Sequence, residues 1–243
     1  MVRLPARLIS KLLKARIAQI FNSAPPGPLV HCVDAADVLH PGSAAPVSHE
    51  KMRAVMENPA PVVWIGGGEP LLHSGMGHFV RAIAQSHPCV FLETDGTELR
   101  RRIHEFQPQR ELFLTVRLDS LQTPKSRHTV EGIRAARLSG FFTVIHTRVH
   151  EDLDSAPLTT LRSFIAEKDV DGWLITAASP GDAVVRKAAE ARELVRGSFW
   201  RQFSERLEEA LLSQTPAREV HDGQAFVPED IHVEAGEEGV RIA

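Results

Sequence analysis

The sequence predicts an α/β protein built on a parallel sheet, curled part of the way into a (β/α)6 barrel. Two observations carry that expectation. Six short apolar, β-branched runs alternate with segments of helical period, and their starts lie 23–33 residues apart, one βαβ step each. The runs are also continuously apolar rather than alternating, as in sheets covered on both faces. A closed barrel of eight units usually takes about 250 residues. Here six units fit within residues 28–182, so a partial barrel is expected, with an open doubly wound sheet as the alternative.

Residues 1–22 read as a basic amphipathic helix. Leu8, Leu12, Leu13, Ile17 and Ile20 recur at helical spacing, Arg3, Arg7, Lys11, Lys14 and Arg16 fill the gaps, and the first 21 residues hold no acid. Such a helix can pack on the barrel by its apolar face, or lie on an anionic membrane surface through residues 1–21. "SAPPGP" (23–28) ends it. The six strand candidates are 28–33, 61–65, 89–93, 112–118, 141–149 and 172–176. Segments such as "GHFVRAIAQS", "TELRRRIHEF", "VEGIRAARLSG" and "LTTLRSFIAEK" supply the crossovers. Residues 183–215 read as C-terminal helices, capped by Asp182, interrupted at Gly197–Ser198 and ended by Pro216. Residues 216–243 form an acidic tail or a small β-hairpin around "GEEG".

Composition narrows the function classes. A net charge of −3 gives no general electrostatic case for nucleic-acid binding. Two cysteines, Cys32 and Cys89, exclude a disulfide framework and fit a reducing, cytoplasmic compartment, with peripheral membrane contact as the variant. No apolar run reaches the ~20 residues of a membrane-spanning helix. Neither a GxSxG nor an HExxH motif is present, so a hydrolase reading lacks its signature.

In parallel α/β folds ligands bind at the carboxyl ends of the strands. The sharpest stretch there is "GGGEP", Gly66 to Pro70. Three glycines let a backbone approach a ligand closely, and Glu69 offers a carboxylate to an ammonium group. A tight turn would need only one glycine. "TDG" (Thr94–Gly96) follows the third strand, Asp119 and Ser120 the fourth, and His146, Arg148 and His150 lie near the end of the fifth. The GxGxxG spacing of a dinucleotide site is missing.

With these stretches in order, "PVVWIGGGEPLLH", "VFLETDGTELRRRIHEFQP", "LTVRLDS", "GIRAARLSGFFTVIHTRVHED" and "VDGWLITAASPG", the chain resembles the radical SAM superfamily. Within it, the likeness is greatest to the hopanoid-biosynthesis type (adenosylhopene synthase-like). The resemblance covers residues 5–182 and implies a partial (β/α)6 TIM-like barrel. It implies a methionine-amine site for S-adenosylmethionine (SAM) at Gly66, Gly67, Gly68 and Glu69, and a floor at Thr94 and Gly96. It places Asp119 and Ser120 near the ribose and Arg148 toward the SAM carboxylate. Asp95 stands where the family usually has asparagine, and Ser120 where it has glycine.

The departure lies in "LVHCVDAADVLHPGS" (29–43). The family's CxxxCxxC motif holds three irons of a [4Fe–4S] cluster through soft thiolates. Cys32 occupies the first position, but the second is Ala36 and the third Leu39. No [4Fe–4S] cluster is therefore expected, and Cys32 remains the one cysteine at a cluster position. His31, Asp34, Asp37 and His40 leave another metal site open as an alternative to a solvated polar loop, although His31 and Cys32 should point to opposite faces of a strand.

Three functions follow as expectations. The first is a catalytically degenerate, cluster-less radical SAM-like protein serving as partner subunit of an active radical SAM enzyme. The second is an enzyme that keeps a SAM or nucleotide pocket for non-radical chemistry. The third is a lipid- or membrane-associated binding protein.

Overall fold

The computed structural model describes residues 28–35 and 49–214. Residues 1–27, 36–48 and 215–243 lie outside them, and with them the basic helix, positions 36 and 39 and the acidic tail. The six strands are β1 (Val30–Asp34), β2 (Val62–Gly66), β3 (Cys89–Thr94), β4 (Leu112–Arg117), β5 (Phe142–Val149) and β6 (Gly172–Ala177). They form one sheet in the order β1-β2-β3-β4-β5-β6, and every pair is parallel. Each lies within one or two residues of its expected bounds, because two-sided burial makes these runs apolar throughout.

Helices α1 (His49–Glu57), α2 (Met76–Ser86), α3 (Leu99–Arg102), α4 (Ser126–Leu138), α5 (Ser155–Glu167) and α6 (Asp182–Arg192) follow the strands in turn. They present their apolar stripes to the sheet: Phe79, Val80 and Ile83 from α2, Ile133 and Ala136 from α4, Leu158 and Leu161 from α5. The "TELRRRIHEF" segment makes only the single turn of α3 and a 3-10 turn, Ile103–Glu105. The cap of α6 is Gly181, not Asp182, which is the first residue of the helix and places its charge at the positive end of the dipole. Gly197, at φ +92°, separates α6 from the last helix, α7 (Ser198–Gln214), as the sequence suggested.

Helix α7 shows how far the sheet curls. It packs against both β6 and β1, the two edge strands. Six flat strands would hold their edges about 24 Å apart at ~4.8 Å per step, whereas a helix is only about 10 Å wide. One helix can touch both edges only if the sheet bends around it into a half-barrel. Phe203 of α7 packs on Phe91 with ring centroids 5.1 Å apart and the planes tilted by 32°, so α7 faces the concave side. There an aromatic ladder crosses four strands in register, Trp64–Phe91–Phe113–Phe142, with ring centroids 5.7, 4.6 and 5.6 Å apart.

The same helix covers the open edge of β6. The Ile175 amide donates to Ser204 Oγ (3.1 Å) and the Ala177 amide to Glu208 Oε2 (2.5 Å). From α6, Arg192 Nε donates to the Ile175 carbonyl (3.1 Å), and its guanidinium pairs with Glu208 in a buried ion pair. An edge strand with unmatched amides invites pairing with other chains; here side chains satisfy it. Among the described residues no helix is long and apolar enough to cross a membrane.

Candidate functional site at the carboxyl end of the barrel

The loop after β2 is held by its own glutamate. Glu69 Oε1 accepts from Thr94 Oγ1 (2.7 Å) and the Leu71 amide (3.1 Å), and Oε2 accepts from the Asp95 amide (2.7 Å). Arg117 approaches Oε2 at 3.9 Å and donates to the Gly67 carbonyl at 3.3 Å. Burial pushes the Glu69 carboxyl up, against the hydrogen bonds from Asp95, Thr94 and Leu71. A carboxylate has about four acceptor sites; three are filled by the protein, and the fourth lies toward Arg117. The amine-binding role implied by the resemblance therefore rests on one remaining lone pair.

The structure brings together most of the residues expected there. Gly66 ends β2, fully buried, opposite Asp34 at the end of β1. Gly67 adopts φ +86°, and a Cβ there would fall 2.1 Å from Asp34 Oδ1, so both backbone angle and space demand glycine. Gly68 is exposed. Thr94 bridges Glu69 and the Gly96 amide (3.0 Å), and Gly96 turns at φ +79° over Val116. Asp119 and Arg148 meet by the backbone: the Arg148 amide donates to Asp119 Oδ1 at 2.8 Å, while the guanidinium reaches the Ala178 carbonyl at 3.4 Å. Ser120 is turned away into its own loop, where Oγ accepts from the Gln122 amide and its carbonyl holds Ser126 at the start of α4.

Below this rim lies a polar layer that no local sequence pattern announces. His146 Nδ1 sits 2.5 Å from Glu93 Oε1, and Nε2 sits 2.8 Å from Thr176 Oγ1. Facing a carboxylate, Nδ1 is assigned the proton from the hydrogen-bond network. The His146 ring also meets Trp64 edge-on at 5.2 Å. Burial alone would push the Glu93 carboxyl up; the charge and hydrogen bond of His146, with the Arg117 and Arg148 guanidiniums, outweigh it and hold Glu93 below the usual carboxylate range. The connectivity is that of a carboxylate–imidazole–hydroxyl relay. All three members are under a tenth exposed, which makes it a polar keystone at the barrel centre rather than a nucleophile open to substrate. One member alone gives a signal: Glu93 interrupts an apolar strand, and a buried charge requires a partner.

Cys32 faces the same interior. It is in register with Trp64, while His31, one residue earlier, lies on the opposite face near His87. Burial first, and the nearby Glu93 charge second, push the Cys32 thiol up to about 12. With no metal bound it is held toward the thiol form, a poor nucleophile. Cys89, the other cysteine, is buried at the start of β3, at the far end of the sheet. Among the described residues no three His, Cys, Asp or Glu side chains are grouped to hold a metal ion. A cluster of this kind needs three thiolates, and the sequence supplies one, Cys32, with alanine and leucine at the other two motif positions; these positions do not fit a [4Fe–4S] cluster. Cys32 is expected to resist iodoacetamide at pH 8 in the folded protein and to react after urea unfolding, read by mass spectrometry; rapid labelling of the native chain would show an activated thiolate instead.

No protein-family model matches the chain. A stretch of 56 residues, 23% of the chain, is 45% identical to 7-carboxy-7-deazaguanine synthase of Chlorobaculum tepidum and covers 25% of it. Among solved structures the chain is similar to SuiB of Streptococcus suis bound to S-adenosylmethionine (TM-score 0.49, 14% identity, 78% of this chain and 49% of that one). It is also similar to an archaeal TYW1 (TM-score 0.42, 17% identity, 54% and 48%). The chain thus spans a quarter of the curated relative and about half of each solved neighbour. Beside the parallel half-barrel, the synthase match supports a radical SAM-like fold.

Proposed function

We propose that this chain is a catalytically degenerate radical SAM-like protein that works as the partner subunit of an active radical SAM enzyme. The observation that carries the reading is the thiol inventory: of the three cluster positions only the first, Cys32, is a cysteine. The barrel beneath is otherwise kept, with "GGGEP" folded against Thr94 and Asp95. A retained scaffold without its cluster ligands suits a role in shaping or stabilising a related catalytic subunit. Co-expression with a CxxxCxxC protein from the same genome tests it. The expected result is a stoichiometric complex through affinity and size-exclusion steps; two proteins that elute separately at every concentration would overturn the reading.

A second reading has one observation in its favour, the Glu69 acceptor site that only Arg117, at 3.9 Å, approaches. The chain would then bind SAM through the "GGGEP" loop for non-radical chemistry. Calorimetry with SAM discriminates it: heat that saturates in the wild type and vanishes in Glu69→Gln supports it, and the absence of binding at millimolar SAM removes it.

A further inference from the structure

The opposite end of the barrel carries a second cleft. It opens beside the start of β6, between α5 and the α6–α7 junction, and its walls include Arg162, Val170, Trp173, Leu194, Arg196 and Trp200. The centre of a water-sized sphere can move through about 60 Å3 of it, and the cleft is open to solvent. Trp200 contributes to its wall. The first residue of β6 is Gly172, and a Cβ on it would fall 2.5 Å from the Trp200 ring, so the glycine lets the indole lie flat on the strand. Trp200 is 1% exposed, yet its Nε1 donor has no hydrogen-bond partner. Buried donors are normally satisfied, so this one is notable.

The cleft is lined by two arginines and two aspartates. Its acids, Asp169 and Asp171, are both engaged by Arg137, at 3.3 and 2.6 Å, and Asp171 also accepts from the Thr143 amide at 2.8 Å. Arg162 and Arg196 are exposed and have no ion pair among the described residues. The result is an indole-and-aliphatic floor under a cationic rim. Guanidinium groups pair with carboxylates through two parallel N–H donors.

We propose that this cleft binds a small organic carboxylate with an apolar body, its head on Arg162 and Arg196 and its body against Trp200 and Leu194. The site is independent of the barrel mouth and of whether the chain has a partner. Benzoate is the test ligand, with benzyl alcohol as its uncharged counterpart, titrated into the full chain while tryptophan emission is followed; two of the three tryptophans line the cleft. Benzoate is expected to change the emission saturably and benzyl alcohol to bind much more weakly. The exposed double variant Arg162→Ala/Arg196→Ala removes both guanidinium contacts and is expected to weaken benzoate binding about tenfold or more. No saturable change, equal binding of the alcohol, or undiminished binding by the double variant would each overturn the proposal.

Discussion

Glu208→Ala is expected to lower the stability of the fold by about 3–5 kcal/mol, the usual cost of stranding one member of a buried ion pair. Two losses coincide at that position. Arg192, itself buried, keeps its charge without its carboxylate, and the Ala177 amide on the edge of β6 loses its acceptor. Glu208→Gln retains an acceptor for the amide and should cost less than alanine. Arg192→Met/Glu208→Leu removes both charges and should recover much of the loss, since apolar replacement of a buried pair is often neutral. Urea melts followed by circular dichroism measure all three. A single-variant loss below ~1 kcal/mol would mean that α7 does not hold the barrel edge as described.

His146→Leu is the second large effect, again about 3–5 kcal/mol near neutral pH, because it leaves the Glu93 carboxylate buried without its ring partner. Its pH dependence has a definite sign. In the wild type the folded Glu93 carboxyl lies below its unfolded value. Its contribution is therefore fully present above the unfolded carboxylate range and is lost as pH falls through the folded pKa. Without His146, burial becomes the larger influence and raises the carboxyl instead. The Glu93 contribution in His146→Leu should then improve on acidification. Urea melts of both proteins between pH 7 and 4 should show the gap between them narrowing as pH falls; a gap that stays constant would separate Glu93 from the effect.

Much of this architecture is legible along the chain because it is local. Each strand of a two-sided parallel sheet announces itself as an apolar run, and Gly67 and Gly96 mark turns that only positive φ can make. The Glu69–Thr94–Asp95 knot is legible only as two separate stretches, "GGGEP" and "TDG", whose meeting depends on β2 and β3 lying side by side. What stays hidden is nonlocal and fixed by register. Glu93 and His146 are 53 positions apart and meet only because the curl of the sheet turns both to its concave side. The closure by α7 is equally remote from pattern: Phe203, Ser204 and Glu208 look like ordinary helix residues until the sheet bends around them. Arg117 is another such case, a strand-end charge whose partner loop begins 50 residues earlier.

The most direct test of the central claim is iron and acid-labile sulfide analysis of the full chain after anaerobic reconstitution, with absorption near 400 nm followed alongside. The thiol inventory predicts no stable iron or sulfide after desalting, and no difference between the wild type and Cys32→Ala. A full [4Fe–4S] complement that survives desalting and disappears in Cys32→Ala would contradict it.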